Sequence, residues 1–145
     1  MERTASLSSI VPYAVTMSVQ DIDASARWYV EKLGFREVQR ENYPEFKTSL
    51  VFLELNGYRV ELIQDGNATP GATRPDPPAH TATYGISQFA FRTTDLSQVR
   101  AELVQRSVPI VWEFENSDLG ARFLFIRDVN GNLIHSPYAI GAKKV

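Results

Sequence analysis

The sequence predicts an α+β domain made of two successive β-α-β-β-β units. Three observations carry that prediction. A segment with period-2 apolar alternation runs directly into a capped helical segment, the same order returns after a Pro- and Gly-rich interruption, and the landmarks of the two halves lie a constant 74 positions apart (Asp21 to Asp95).

In the first half, Val15, Met17 and Val19 alternate with Thr16 and Ser18, the pattern of a strand with one face against a core. Asp21 or Asp23 can cap the following helix, Ile22, Ala26, Tyr29 and Leu33 recur at helical spacing, and Gly34 stands where a left-handed C-cap belongs. Strands are expected over Phe35 to Arg40, Ser49 to Leu55 and Arg59 to Gln64. The last two are joined by Asn56-Gly57, a dipeptide suited to a type I′ turn because both positions tolerate positive φ. Between Asp65 and Thr83, Pro70, Pro75, Pro77 and Pro78 join Gly66 and Gly71 with no apolar periodicity, which marks a linker or mobile loop. His80 lies inside it and is expected to be solvated.

The second half offers a strand over Ser87 to Thr93, a helix from Asp95 through Leu96, Val99 and Leu103, and strands near Ile110 to Phe114, Arg122 to Arg127 and Asn132 to Ser136. The 74-position offset sets Ile22 on Leu96, Asn56-Gly57 on Asn130-Gly131 and Val60 on Ile134 without a gap. Agreement of a helix start, a turn and the strand order points to an internal duplication. The expectation is one domain over residues 1–145, with module one at about 11–65, a linker at about 66–83 and module two at about 84–138.

Composition narrows the function classes. The chain has 15 basic and 17 acidic residues, spread without a run of one sign, so it carries no footprint for nucleic acid or a charged membrane surface. Its longest apolar stretches, such as Leu50 to Leu53, fall far short of the roughly 20 residues of a spanning helix. There is no cysteine, which excludes thiolate nucleophiles, zinc thiolate sites and iron–sulfur clusters. Met1 to Ile10 lacks the basic and apolar regions of a secretory signal, so the expected location is the cytoplasm.

Two segments carry a resemblance to a known family. Val19-Gln20-Asp21-Ile22-Asp23-Ala24-Ser25 leading to Trp28-Tyr29 and Leu33-Gly34-Phe35, and Asp128-Val129-Asn130-Gly131-Asn132-Leu133-Ile134, resemble the vicinal oxygen chelate superfamily over roughly Val11 to Tyr138. That superfamily includes glyoxalase I, extradiol dioxygenases, epimerases, fosfomycin-resistance enzymes and bleomycin-binding proteins. The resemblance implies two modules paired into an open, cupped barrel, a small-molecule ligand and a homodimer. It further implies metal ligands at four symmetric strand positions, which the offset carries onto Ala14, Glu61, Gln88 and His135. Ala14 has no donor atom, which leaves Glu61, Gln88 and His135 as a three-residue set for a divalent ion.

Two function classes stay open at this level. One is an enzyme, a metal-dependent lyase, isomerase or dioxygenase, in which Glu61 and His135 hold a metal or move a proton for a small oxygenated substrate. The other is a metal-free binder that sequesters a small molecule, in which Glu61 pairs with His135 and favours its imidazolium. On strand parity Gln88, Ala90 and Arg92 share a face, so Gln88 and Arg92 are candidate ligand contacts, Arg92 for a carboxylate or phosphate. Arg59 shares the parity of Glu61 and is a competing partner for it. Trp112, with Phe114, Tyr43, Phe46 and Tyr84, could form an aromatic wall.

Overall fold

The structure, a computed structural model, describes residues 7–137. Tyr138, the last residue of the second expected module, and Met1 to Ser6 lie outside them. Two four-stranded sheets are present. The first has the order β1-β4-β3-β2, from strands β1 Ala14–Ser18, β2 Arg36–Tyr43, β3 Thr48–Leu55 and β4 Tyr58–Asp65. The second repeats it as β5-β8-β7-β6, from β5 Phe89–Ala90, β6 Ile110–Asn116, β7 Ala121–Arg127 and β8 Leu133–Pro137. Neither sheet closes on itself, so the pair forms an open cup of β-α-β-β-β units, as the sequence predicts.

The repeat is visible in the hydrogen-bonded ladders. Val15 pairs with Val60 in the parallel β1–β4 ladder, and Phe89 pairs with Ile134 in β5–β8, the same register moved by the offset. Helices α1 Ile22–Trp28 and α2 Leu96–Gln105 start alike, with Asp21 accepting from the Ala24 amide and Asp95 from the Gln98 amide. Gly57 and Gly131 hold φ of 84° and 85°, conformations a side chain would strain. Register slips mark β2 between Glu37 and Gln39 and β6 between Ile110 and Trp112, so the bulges repeat too.

Four details differ from the sequence expectation. The first helix passes into a π-helical turn over Tyr29–Leu33, which lets the Phe35 amide reach back to the Tyr29 carbonyl and swings Phe35 into the core. Strand β2 runs on to Tyr43 because its polar residues pair fully with β3. Strand β5 is only two residues long. Finally, Asn56 and Gly57 make the expected two-residue turn with positive φ at both, whereas the turn at Asn130-Gly131 is wider: the Asp128 side chain caps it by accepting from the Asn130 and Asn132 amides.

One apolar core serves both sheets. Val51, Leu53, Val60 and Leu62 meet Ile22, Ala26 and Tyr29 of the first half, and the cluster continues through Leu96, Leu103, Leu124, Ile126 and Ile134 of the second. Across the junction, the buried Tyr29 hydroxyl donates to Asp128 at 2.6 Å, and Tyr58 lies against Phe89 and Phe91. Burial, then the neighbouring Asp128 carboxylate, raises the Tyr29 pKa far above its ordinary value. No helix among the described residues is long and apolar enough to cross a membrane.

Candidate functional site

Because cross-strand partners share a face, the ladders assign each candidate side chain to one side of its sheet. Val60, Leu62, Leu124, Ile126 and Ile134 take the helix-covered faces. The opposite, helix-free face of the first sheet carries Ala14 with its partner Arg59, and Thr16 with its partner Glu61. Phe52 pairs with Glu61 there as well. On the second sheet His135 pairs with Ala90 and Phe125, which sets it on the helix-free side. Alternation from Ala90 puts Gln88 there too.

The polar half of this surface belongs to the first sheet. Thr16 Oγ1 donates to Glu61 Oε1 at 2.7 Å. Arg59 turns instead to Glu54, at 3.3 Å, and lies over the Tyr13 ring, so the expected competition between Arg59 and Glu61 is replaced by another pairing. Gln88, its Oε1 accepting from Ser87, lines a cavity of about 450 Å³ with Thr16, Ser18, Arg74 and Asn130. Arg92 does not share that cavity. It lines a different one, of about 410 Å³, on the helix side with Phe91 and Leu103, because the chain has left β5 by that point and strand parity no longer applies.

The aromatic half belongs to the second sheet. Trp112, Phe114, Phe123 and Phe125 form a continuous wall, with centroid separations of 5.0 to 5.9 Å. His135 is set into it, stacked on Phe125 at 4.6 Å and edge-on to Phe123 at 5.0 Å. Tyr43, Phe46 and Tyr84 take no part in this wall; all three are exposed.

His80 is the residue sequence reasoning missed. The linker folds a short 3-10 turn, Ala79–Thr81, onto the wall, leaving His80 only 7% exposed and edge-on to Phe125 at 5.0 Å. Arg74 holds the loop shut by donating to the carbonyls of His80, Thr83, Tyr84 and Ile86. Arg127 ties it to the sheet through Asp76 at 2.8 Å and the Arg74 carbonyl. A lone histidine in a proline-rich segment carries no sequence signal for this; only the two arginines, anchored far apart in the chain, bring it in.

Electrostatics follow from this packing. Burial lowers the His135 pKa below its ordinary 6.5, and the neighbouring His80 lowers it further. The expectation that Glu61 would hold His135 as an imidazolium is therefore corrected: the ring is in an aromatic, desolvated setting that favours the neutral form. Among the described residues His80 Nδ1 and His135 Nε2 are buried without a hydrogen-bond partner.

The donor set is short for a resident divalent ion: Ala14 supplies no ligand, which leaves one carboxylate, one amide oxygen and one imidazole at the four related positions, and no three His, Asp or Glu side chains gather among the described residues.

With the geometry described, the comparisons with known proteins give it a context. Residues 10–135 match the Glyoxalase/Bleomycin resistance protein/Dioxygenase superfamily, and the chain belongs to that family. It is 30% identical over 126 residues to the virulence protein STM3117 of Salmonella typhimurium, covering 83% of this chain and 78% of that protein. Among solved structures, a glyoxalase family protein from Enterococcus faecalis superposes with a TM-score of 0.73 at 21% identity, over 90% of this chain and 99% of the other. The trypanothione-dependent glyoxalase I of Leishmania major does so at 0.65 and 26% identity, over 89% and 86%. The fosfomycin resistance protein FosX of Listeria monocytogenes gives 0.67 at 13% identity, a likeness of fold alone.

Proposed function

We propose that this chain is a metal-independent binder of a flat aromatic small molecule bearing hydrogen-bonding groups, held on the helix-free face of the cup. The observation that carries this reading is the pairing of an aromatic wall with two buried histidine nitrogens that no described protein group satisfies. Rings at Trp112, Phe114 and Phe123 are partly exposed and suit stacking with a planar ligand. A buried imidazole nitrogen without a partner costs free energy, and a ligand donor or acceptor would offset that cost once a ring of the wall turns aside to admit it. Glu61 and Thr16 supply polar contacts on the other sheet, and Gln88 one beside β5.

The metal-dependent lyase, isomerase or dioxygenase reading rests on superfamily membership and on Glu61 and His135 at related positions. The donor set described above supports it less well. The deciding experiment titrates EDTA-treated protein with isoquinolin-1-one, quinoline and naphthalene, following tryptophan fluorescence and heat. Saturable binding of isoquinolin-1-one, weakened about tenfold or more by Phe123→Ala or His135→Ala, is the expected result. Binding that requires added Mn²⁺, Ni²⁺ or Zn²⁺ would overturn it in favour of the metal reading.

We also propose a homodimer. Leu7, Ile10, Val11, Tyr13 and Ile86 are large apolar side chains left exposed, and edge strands β2 and β6 keep unpaired backbone on one side. Light scattering at micromolar concentration should give twice the chain mass; a monomer mass would rule it out.

A further inference from the structure

Under the repeat, Tyr29 and Leu62 of the first core correspond to Leu103 and Ser136 of the second, and the smaller side chains leave a second cavity. Tyr29 and Leu103 correspond under the repeat: each accepts, at its carbonyl, the amide of the buried residue just past its helix, Phe35 and Val108. In the first half the Tyr29 ring fills the space between Met17 and the turn of the other module, reaching Asp128. In the second half the smaller Leu103 stands there. Phe91, the counterpart of Met17, does not make up the volume, and a cavity of about 410 Å³ opens between Leu103, Phe91 and the turn at Leu55 to Tyr58.

Its floor is apolar, with Leu33, Ile126 and Ile134. Its rim carries three cations, Lys32, Arg92 and Arg106, against one acid, Glu102, which already faces Arg106 at 3.6 Å. Arg92 makes no ion pair among the described residues. The volume lies within the range of small-ligand pockets.

We propose that this helix-side cavity is a binding site for a small amphiphilic carboxylate, its apolar body against Leu103 and Phe91 and its carboxylate on Arg92. It is separate from the aromatic wall, which lies on the helix-free face of the same sheet. An arginine fork suits a carboxylate, and the apolar floor excludes ligands that are anionic throughout.

The test is calorimetric titration of the full chain with decanoate, decan-1-ol and acetate. Decanoate should bind with one-to-one stoichiometry, decan-1-ol at least about tenfold more weakly, and acetate not measurably. Leu103→Tyr, which installs the residue that closes the equivalent space in the first half, should abolish decanoate binding. Should that variant fail to fold by circular dichroism, Arg92→Glu on the exposed rim should cost decanoate about tenfold or more by itself. Phe123→Ala should leave decanoate binding unchanged, which separates failure of this site from failure of the aromatic wall. Retained decanoate affinity in folded Leu103→Tyr or in Arg92→Glu, or equal affinity for decanoate and decan-1-ol, would overturn the assignment.

Discussion

Lys32 and Arg106, separated by 74 residues, hold each other across the junction of the two modules. Lys32 Nζ donates to the Arg106 carbonyl at 2.6 Å, and Arg106 Nη1 donates to the Lys32 carbonyl at 3.0 Å. The reciprocity is what a pseudo-twofold axis between the helix ends requires. It also places two cations beside helix C-terminal carbonyls, where the backbone dipole favours them.

Each of these bonds joins one side chain to the other residue's backbone, so losing one leaves the other intact. Lys32→Ala and Arg106→Ala should each lower stability by about 0.5–1 kcal/mol, the range for exposed charged contacts. The double variant should equal their sum within about 0.5 kcal/mol, as for independent sites. Urea unfolding of the four proteins measures this, and strong coupling would mean that the two side chains act on one another directly.

Tyr29→Phe removes the hydroxyl between the first helix and the Asp128 turn and leaves a buried carboxylate with one donor fewer. A loss of about 1–3 kcal/mol is expected. Absorbance near 295 nm offers a second check: the raised Tyr29 pKa means that this tyrosine should not ionise in alkali before the protein unfolds.

His135 gives the fold a pH dependence with a definite sign. Its folded pKa lies below the ordinary 6.5, so the native state binds fewer protons than the unfolded state between those two values. The stability it contributes is complete above about pH 6.5 and is lost as pH falls toward the depressed value. Thermal midpoints measured from pH 8 to 5 should therefore decline on the acid side, and His135→Phe should flatten part of that decline.

Phe125 carries both histidine rings and is buried under the 76–81 loop. Phe125→Ala should cost about 3–5 kcal/mol through the cavity it leaves. Limited proteolysis should then cut within residues 76–83 faster than in the parent protein, beyond what the global loss of stability accounts for.

Local sequence rules determined much of this molecule. Capping by Asp21 and Asp95, positive φ at Gly57 and Gly131, and the alternation of Val15, Met17 and Val19 each follow from the chemistry of a few neighbouring residues. Their constant spacing revealed the repeat, and the repeat set Val15 against Val60 and Phe89 against Ile134. Glu61, Gln88 and His135 were singled out by the family resemblance carried through that offset, and their strand ladders set them on the helix-free faces. Tertiary packing decided the rest. The burial of His80 depends on Arg74 and Arg127 drawing a proline-rich loop onto Phe125, and no periodicity records that. The neutral tendency of His135 comes from the aromatic rings around it rather than from Glu61. Arg92 moved to the helix side because β5 ends two residues earlier, and the cavity behind Leu103 opens where the second half holds Leu103 and Ser136 against Tyr29 and Leu62 of the first. Short-range patterns fix backbone conformation and facing; which distant side chains desolvate one another is settled only when the two sheets share a core.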